Sequence, residues 1–238
     1  MPLVPPKDKR VTETLAWLKK NGSPRVREQM TRFAIHAPKS FGVGMAPLQK
    51  LAKRLGRDHD LAAALWATEW YEARTIAAYV EEPERVTPAQ MDRWCRDFDN
   101  WGICDTLAFH LFDRTGFAWA KVDAWHDRRE EFVRRAAFAL LASLALHDKQ
   151  SGDDAFLHGL ELVERAAIDE RNFVKKGVSW ALRVIGRRNT ALNAAAITTA
   201  RRLSRSSNAA ARWIGSGAVK ELTSALVKRQ LAARTSRA

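Results

Sequence analysis

The stretch EFVRRAAFALLASLA, residues 131–145, recurs 41 residues later as NFVKKGVSWALRVIG, residues 172–186. Phe132 falls on Phe173, Val133 on Val174, the pair Arg134-Arg135 on Lys175-Lys176, and Leu141 on Leu182. Each copy reads as an amphipathic helix, and a period near 40 residues belongs to stacked helix pairs of the HEAT or armadillo kind. One such pair cannot bury its apolar face alone, so neighbours must share a continuous core. The rest of the chain agrees. Apolar residues recur at spacings of three and four and nowhere alternate for long, which predicts a dozen or more helices joined by short polar loops. Ser23-Pro24 and Thr87-Pro88 mark helix starts, and Gly56 marks a helix end. The expected fold is all-α, a HEAT-like repeat superhelix (an α-α solenoid) in which one helix of each pair lines a concave groove. A single repeat domain is expected over 11–232, with an N-terminal tail at 1–10 and a basic C-terminal tail at 233–238.

Charge narrows the partner. The net charge is +13, and it is uneven: 15 Lys/Arg and one acid, Glu221, follow residue 170, whereas the first 170 residues carry 25 Lys/Arg and 26 Asp/Glu. A basic half joined to a near-neutral half is an electrostatic footprint for a polyanion. No run of eighteen apolar residues is present to span a membrane, and MPLVPPKDKR lacks the apolar centre of a signal peptide. A cytoplasmic protein of the bacterial cytosol or nucleoid is expected. The two cysteines, Cys95 and Cys104, have no His cluster near them in sequence, which predicts buried thiols and neither a zinc site nor a disulfide framework. His36, His59, His110, His126, His147 and His158 show no metal-ligand spacing. No metal and no cofactor is expected.

The chemistry centres on FDNWGICDTLAFHLF, residues 98–112. Trp101 and Asp105 lie four apart and share one helix face. By repeat register, Arg135 and Lys176 take equivalent positions, and Trp180 lies one turn beyond Lys176. A groove of cations and indoles suits nucleic acid, since cations bind phosphates and indoles stack on sugars or bases. A carboxylate there repels phosphate, so it is useful only where a cation forms. Breaking an N-glycosidic bond creates one, an oxocarbenium-like sugar. A base alkylated at a ring nitrogen is itself cationic and leaves neutral, so no general acid is required. One carboxylate then suffices to stabilise the sugar and orient water.

NWGICD (100–105), FVRRAA (132–137) and FVKKGVSWALR (173–183) resemble motifs of the AlkD-type family of DNA alkylation repair proteins, the HEAT-like repeat DNA glycosylases. The likeness runs from SPRVREQMTRFAI to the C-terminus. It implies that Asp105 is the catalytic carboxylate, that Trp101 and Trp180 contact the lesion's backbone and deoxyribose, and that Arg135 holds a phosphate. It further implies excision of cationic N3- and N7-alkylpurines from duplex DNA without flipping the base into a pocket. Arg134 departs from the pattern, standing where a neutral polar side chain is expected. Arg134, Lys175, Lys176, Arg183, Arg212 and Lys220 are expected to bind DNA. The partner is duplex DNA containing alkylated bases, and the protein is expected to act as a monomer. Two other readings compete: a DNA-binding member of the same fold that excises nothing, and a HEAT-type scaffold for a protein partner. Asp105 disfavours the first of these, and the charge asymmetry the second.

Other features read as structural. Trp66, Trp70 and Tyr71 are expected to pack between helices, with Tyr71 within reach of the groove. SFGVGM (40–45) lacks the P-loop pattern and is expected to be a helix connection passing near the DNA backbone. Ser204, Arg205, Ser206 and Ser207 form a polar turn placed for phosphate. Asp105 has a competing role as a first-turn acid favoured by a helix dipole.

Overall fold

The computed structural model describes residues 9–235. Most of the expected N-terminal tail and residues 236–238 lie outside the described residues. Lys9 and Arg10 already belong to the first helix, and residues 233–235 continue the last one. The described residues hold fourteen α-helices, two 3₁₀ turns and no strand. No described helix is long and apolar enough to cross a membrane. The chain divides into two compact units at Gly116/Phe117.

The first unit contains α1 (Lys9–Asn21), α2 (Pro24–Arg32), α3 (Met45–Leu55), α4 (His59–Ala67), α5 (Tyr71–Val80), α6 (Pro88–Arg96) and α7 (Trp101–His110). The expected helix ends are where the sequence put them. Pro24 opens α2, although Ser23 makes no side-chain cap bond. Gly56 closes α3 at φ 77°, a conformation that a Cβ would strain. Thr87 caps α6 by accepting the Gln90 amide. α5 lies at the centre of the unit, packed on α1, α3, α4 and α7, and eight of its ten residues are buried. Trp66 stacks on Trp94 with ring centroids 4.3 Å apart, and Trp70 stacks on Phe41 at 3.9 Å. Cys95 and Cys104 are buried thiols.

The SFGVGM segment is a helix connection, as expected, but its amides turn inward. Glu72, fully buried on α5, accepts the amides of Phe41 at 3.0 Å, Gly42 at 2.7 Å and Val43 at 3.2 Å. It also accepts the Ser40 hydroxyl at 2.7 Å. The loop therefore cradles an anion of its own chain, and those amides are not available to a DNA phosphate.

The second unit contains α8 (Ala118–Trp125), α9 (Glu131–His147), α10 (Asp153–Ala166), α11 (Asn172–Ile185), α12 (Thr190–Ser204), α13 (Ala209–Leu222) and α14 (Ala225–Thr235). The helices pair as α8 with α9, α10 with α11 and α12 with α13. The second members form a row, α9 against α11 and α11 against α13. This is the stacking the 41-residue repeat predicts. The equivalent aromatics Phe132 and Phe173 meet across the α9–α11 seam with ring centroids 5.4 Å apart. Small residues permit the closest approaches. A Cβ on Gly215 would lie 2.3 Å from the Ser204 amide nitrogen and 2.5 Å from the Ala200 carbonyl oxygen, so α12 and α13 touch backbone to backbone there.

Candidate active site

Helix α7 is set by its cap. Asn100 accepts the Ile103 amide at 3.1 Å, which starts the helix at Trp101. Most of α7 is buried, and its half-buried residues are Trp101, Asp105, Phe109 and His110. Trp101, Asp105 and Phe109 are spaced by four, so they form one stripe that reaches the surface of an otherwise sequestered helix. The carboxylate sits in the second turn, and α7 has no acid in its first turn. Its place is therefore not explained by the dipole at the helix start.

Trp101 is fixed in orientation, because its indole N–H donates to the Phe33 carbonyl at 2.9 Å. Phe33 is itself 69% exposed at the end of α2. Behind the stripe lies Tyr71. A Cβ on Gly102 would come 2.8 Å from the Tyr71 hydroxyl oxygen, so glycine is what lets the phenol lie against α7. Burial, together with the negative charges of Glu72 and Asp105, pushes the Tyr71 hydroxyl up to about 12. It is thus a neutral O–H at physiological pH, held close to the carboxylate's helix. A cavity of about 310 Å³ adjoins it, lined by Lys39, Glu69, Tyr71, Arg74, Asp99 and Ile103 among others.

In the second unit the predicted cations separate into two kinds. Arg135 is only 5% exposed, and its guanidinium donates to the Phe173 carbonyl at 2.8 Å. Arg134 donates to the His126 carbonyl at 2.9 Å and to Asp169 at 3.0 Å. Burial raises the Asp169 pKa, but the Arg171 and Arg134 side chains and the Arg171 amide more than offset that and hold it low. The Arg134–Asp169 pair therefore ties the start of α9 to the loop before α11. Arg183 is half-buried, bonded to Ser179 and paired with Glu221 at 3.0 Å. Arg212 is exposed but bonds the carbonyls of Ser206 and Ser207, within the polar turn expected to meet phosphate. Lys176 and Lys220 are exposed. Lys175 lies over the ring of Trp213 at 5.1 Å. Trp180 is half-buried and lines a cavity of about 590 Å³ together with Lys149, Arg187, Arg188 and Arg234. Sequence reasoning proposed none of these four cations.

One regularity joins these helices. The N-caps of α7, α9, α11 and α13 are Asn100, Glu130, Arg171 and Asn208. Five residues after each cap stand Asp105, Arg135, Lys176 and Trp213. The repeat seen in sequence between α9 and α11 thus has a third copy on α13, where Arg212-Trp213 replaces the pair of cations. Among the described residues, no group of three or more His, Cys, Asp or Glu is placed to hold a metal ion.

No curated protein matches the chain. Among solved structures it is similar to one from a family of proteins related to the HEAT-like repeat DNA glycosylases with affinity for branched DNA structures. That likeness has a TM-score of 0.78 at 19% identity, over 93% of this chain and 95% of the other. It establishes a shared HEAT-like fold. A designed armadillo repeat protein superposes with a TM-score of 0.33 at 13% identity, over 92% of this chain and 96% of the other. The sequence profile described as DNA alkylation repair enzyme matches residues 14–222, and over that length the chain belongs to the DNA alkylation repair enzyme family.

Proposed function

We propose that the protein is a monofunctional DNA glycosylase that removes cationic N3- or N7-alkylated purines from duplex DNA. The observation that carries the reading is the half-buried Trp101–Asp105 stripe on a capped, otherwise buried helix. The bond between C1′ and the alkylated purine breaks with its electrons going to the ring nitrogen, so the cationic base leaves neutral. Asp105 stabilises the positive charge that grows on the sugar. It then orients a water, whose oxygen bonds to C1′ while its proton passes to the carboxylate or to solvent. The Trp101 indole, anchored on Phe33, presents a π face to the positive deoxyribose. Exposed Lys176 and Lys220 supply phosphate contacts and half-buried Trp180 is assigned to the DNA backbone, whereas Arg135, buried and bonded to the Phe173 carbonyl, holds α9 against α11. The base is not taken into a pocket, which departs from the usual habit of base-processing enzymes.

Membership in a DNA alkylation repair enzyme family supports the reading. A second reading, binding without excision, draws on the solved relative whose family has affinity for branched DNA. Purine release from methylated duplex DNA, measured by mass spectrometry beside Asp105→Asn, decides between them. Release that falls about 10²–10³-fold in the variant supports the carboxylate role. Equal release by both keeps an enzyme but removes Asp105 from its centre. No release by either, with salt-sensitive binding intact, leaves a DNA-binding protein.

A further inference from the structure

We propose that Trp213 is a stacking platform for an unpaired base of DNA. The inference rests on the DNA-binding part of the reading above and is independent of base excision. Trp213 is 50% exposed, although tryptophan is among the side chains that gain most from burial. Its described ring contact is with the Lys175 ammonium, 5.1 Å from the ring centroid. A cation over an aromatic face is attracted to the ring, so Lys175 steadies the indole while half of it stays open to solvent.

The surroundings define what the open part takes. On α13, Ser216, Gly217 and Lys220 lie three, four and seven residues after Trp213 and are all exposed, so they continue one face. A Cβ on Gly217 would meet nothing within 4 Å, which leaves that face bare beside the indole. Lys176 and Lys220 are exposed cations on the adjacent helices α11 and α13. Glu221, the one acid after residue 170, turns instead to Arg183 at 3.0 Å and Arg187 at 3.6 Å. An indole flanked by cations, with the local acid neutralised elsewhere, is how proteins hold single-stranded nucleic acid: charge follows the backbone and the ring takes the base. A paired base in a duplex has both faces covered by its neighbours. Only a base freed from its stack reaches such a ring. The register agrees, since Trp213 occupies the position that holds Lys176 one repeat earlier. The row thus passes from phosphate contact to base contact.

Binding of the full-length protein is measured by fluorescence anisotropy to a fully paired duplex and to the same duplex carrying a short thymine bulge. Trp213→Ala is expected to weaken binding to the bulged DNA by about 5- to 100-fold and to leave the paired duplex within about twofold. Trp213→Phe, which keeps an aromatic face, is expected to recover most of the loss. Lys176→Ala, which removes a phosphate contact, is expected to weaken both DNAs alike. An unchanged bulge affinity in Trp213→Ala, while Lys176→Ala weakens both, overturns the platform and leaves the DNA reading standing. Equal losses on both DNAs in Trp213→Ala overturn base stacking in favour of a general contact. Failure of the wild-type protein to bind either DNA overturns the platform and the DNA reading together.

Discussion

Glu72→Gln should unfold the first unit more readily than its near-identical shape suggests. One oxygen of Glu72 accepts the Ser40 hydroxyl and the Gly42 and Val43 amides, and the other accepts the Phe41 amide. All four partners are donors, and a carboxylate is the side chain that only accepts. In the glutamine one oxygen becomes an NH₂. Placed at the Phe41 amide, it faces a donor and loses that bond outright. The remaining three bonds lose their charge. At the low ends, about 1.5 kcal/mol for a hydrogen bond to a charged group and about 0.5 for a neutral one, one bond lost and three weakened come to about 4.5 kcal/mol. No cavity forms, so packing adds little. With a urea dependence of about 2 kcal/mol/M, the unfolding midpoint should fall by about 2 M at unchanged slope. The assay is urea unfolding followed by far-ultraviolet circular dichroism. A midpoint within about 0.5 M of wild type would refute the reasoning, because the loop amides would then have other acceptors. Tyr71, next to Glu72 and against α7, links this loop to the candidate site. Purine release by the variant should therefore fall in step with its folded fraction.

The phenol of Tyr71 gives an alkaline limb. Its proton is held up to about 12 in the folded chain against 10 in the open chain, so the stabilisation is complete below pH 10 and is lost as pH rises towards 12. It amounts to about 2–3 kcal/mol. Tyr71→Phe should remove that slope from a plot of stability against pH, and a slope unchanged in the variant would assign it to other groups. Gly215→Ala puts a Cβ into the backbone of α12 and should cost about 3 kcal/mol. Gly217→Ala, two residues on and in open space, should instead be neutral or gain up to about 1 kcal/mol from helix propensity. Thermal melts of the two variants that coincide would contradict the close approach.

Local signals were legible where the physics is local. The Thr87-Pro88 start and the Gly56 stop depend on a few adjacent residues, and both stand where the sequence puts them. The α9–α11 repeat was visible because its aromatic and both cations are kept. Its third copy was hidden, since α13 carries Arg-Trp and the cap-to-cap interval shortens from 41 to 37 residues. The Trp101–Asp105 face could be read from spacing alone. The burial of Arg135 and the Asp169 partner of Arg134 could not, because they depend on neighbours 38 and 35 residues away. Trp213 was missed for the same kind of reason. Nothing in AAARWIG distinguishes a buried indole from an exposed one until α11 is beside it.

The constant interval between cap and fifth residue makes each N-cap the origin of an angular coordinate. A residue inserted or deleted between Asn100 and Asp105 would turn the carboxylate by about 100° around the helix axis, off the Trp101 stripe and into packed interior. Substituting the fifth residue leaves that direction intact and changes only the chemistry it offers. These helices therefore tolerate exchange of what they display far better than a change in the length of the turn that aims it.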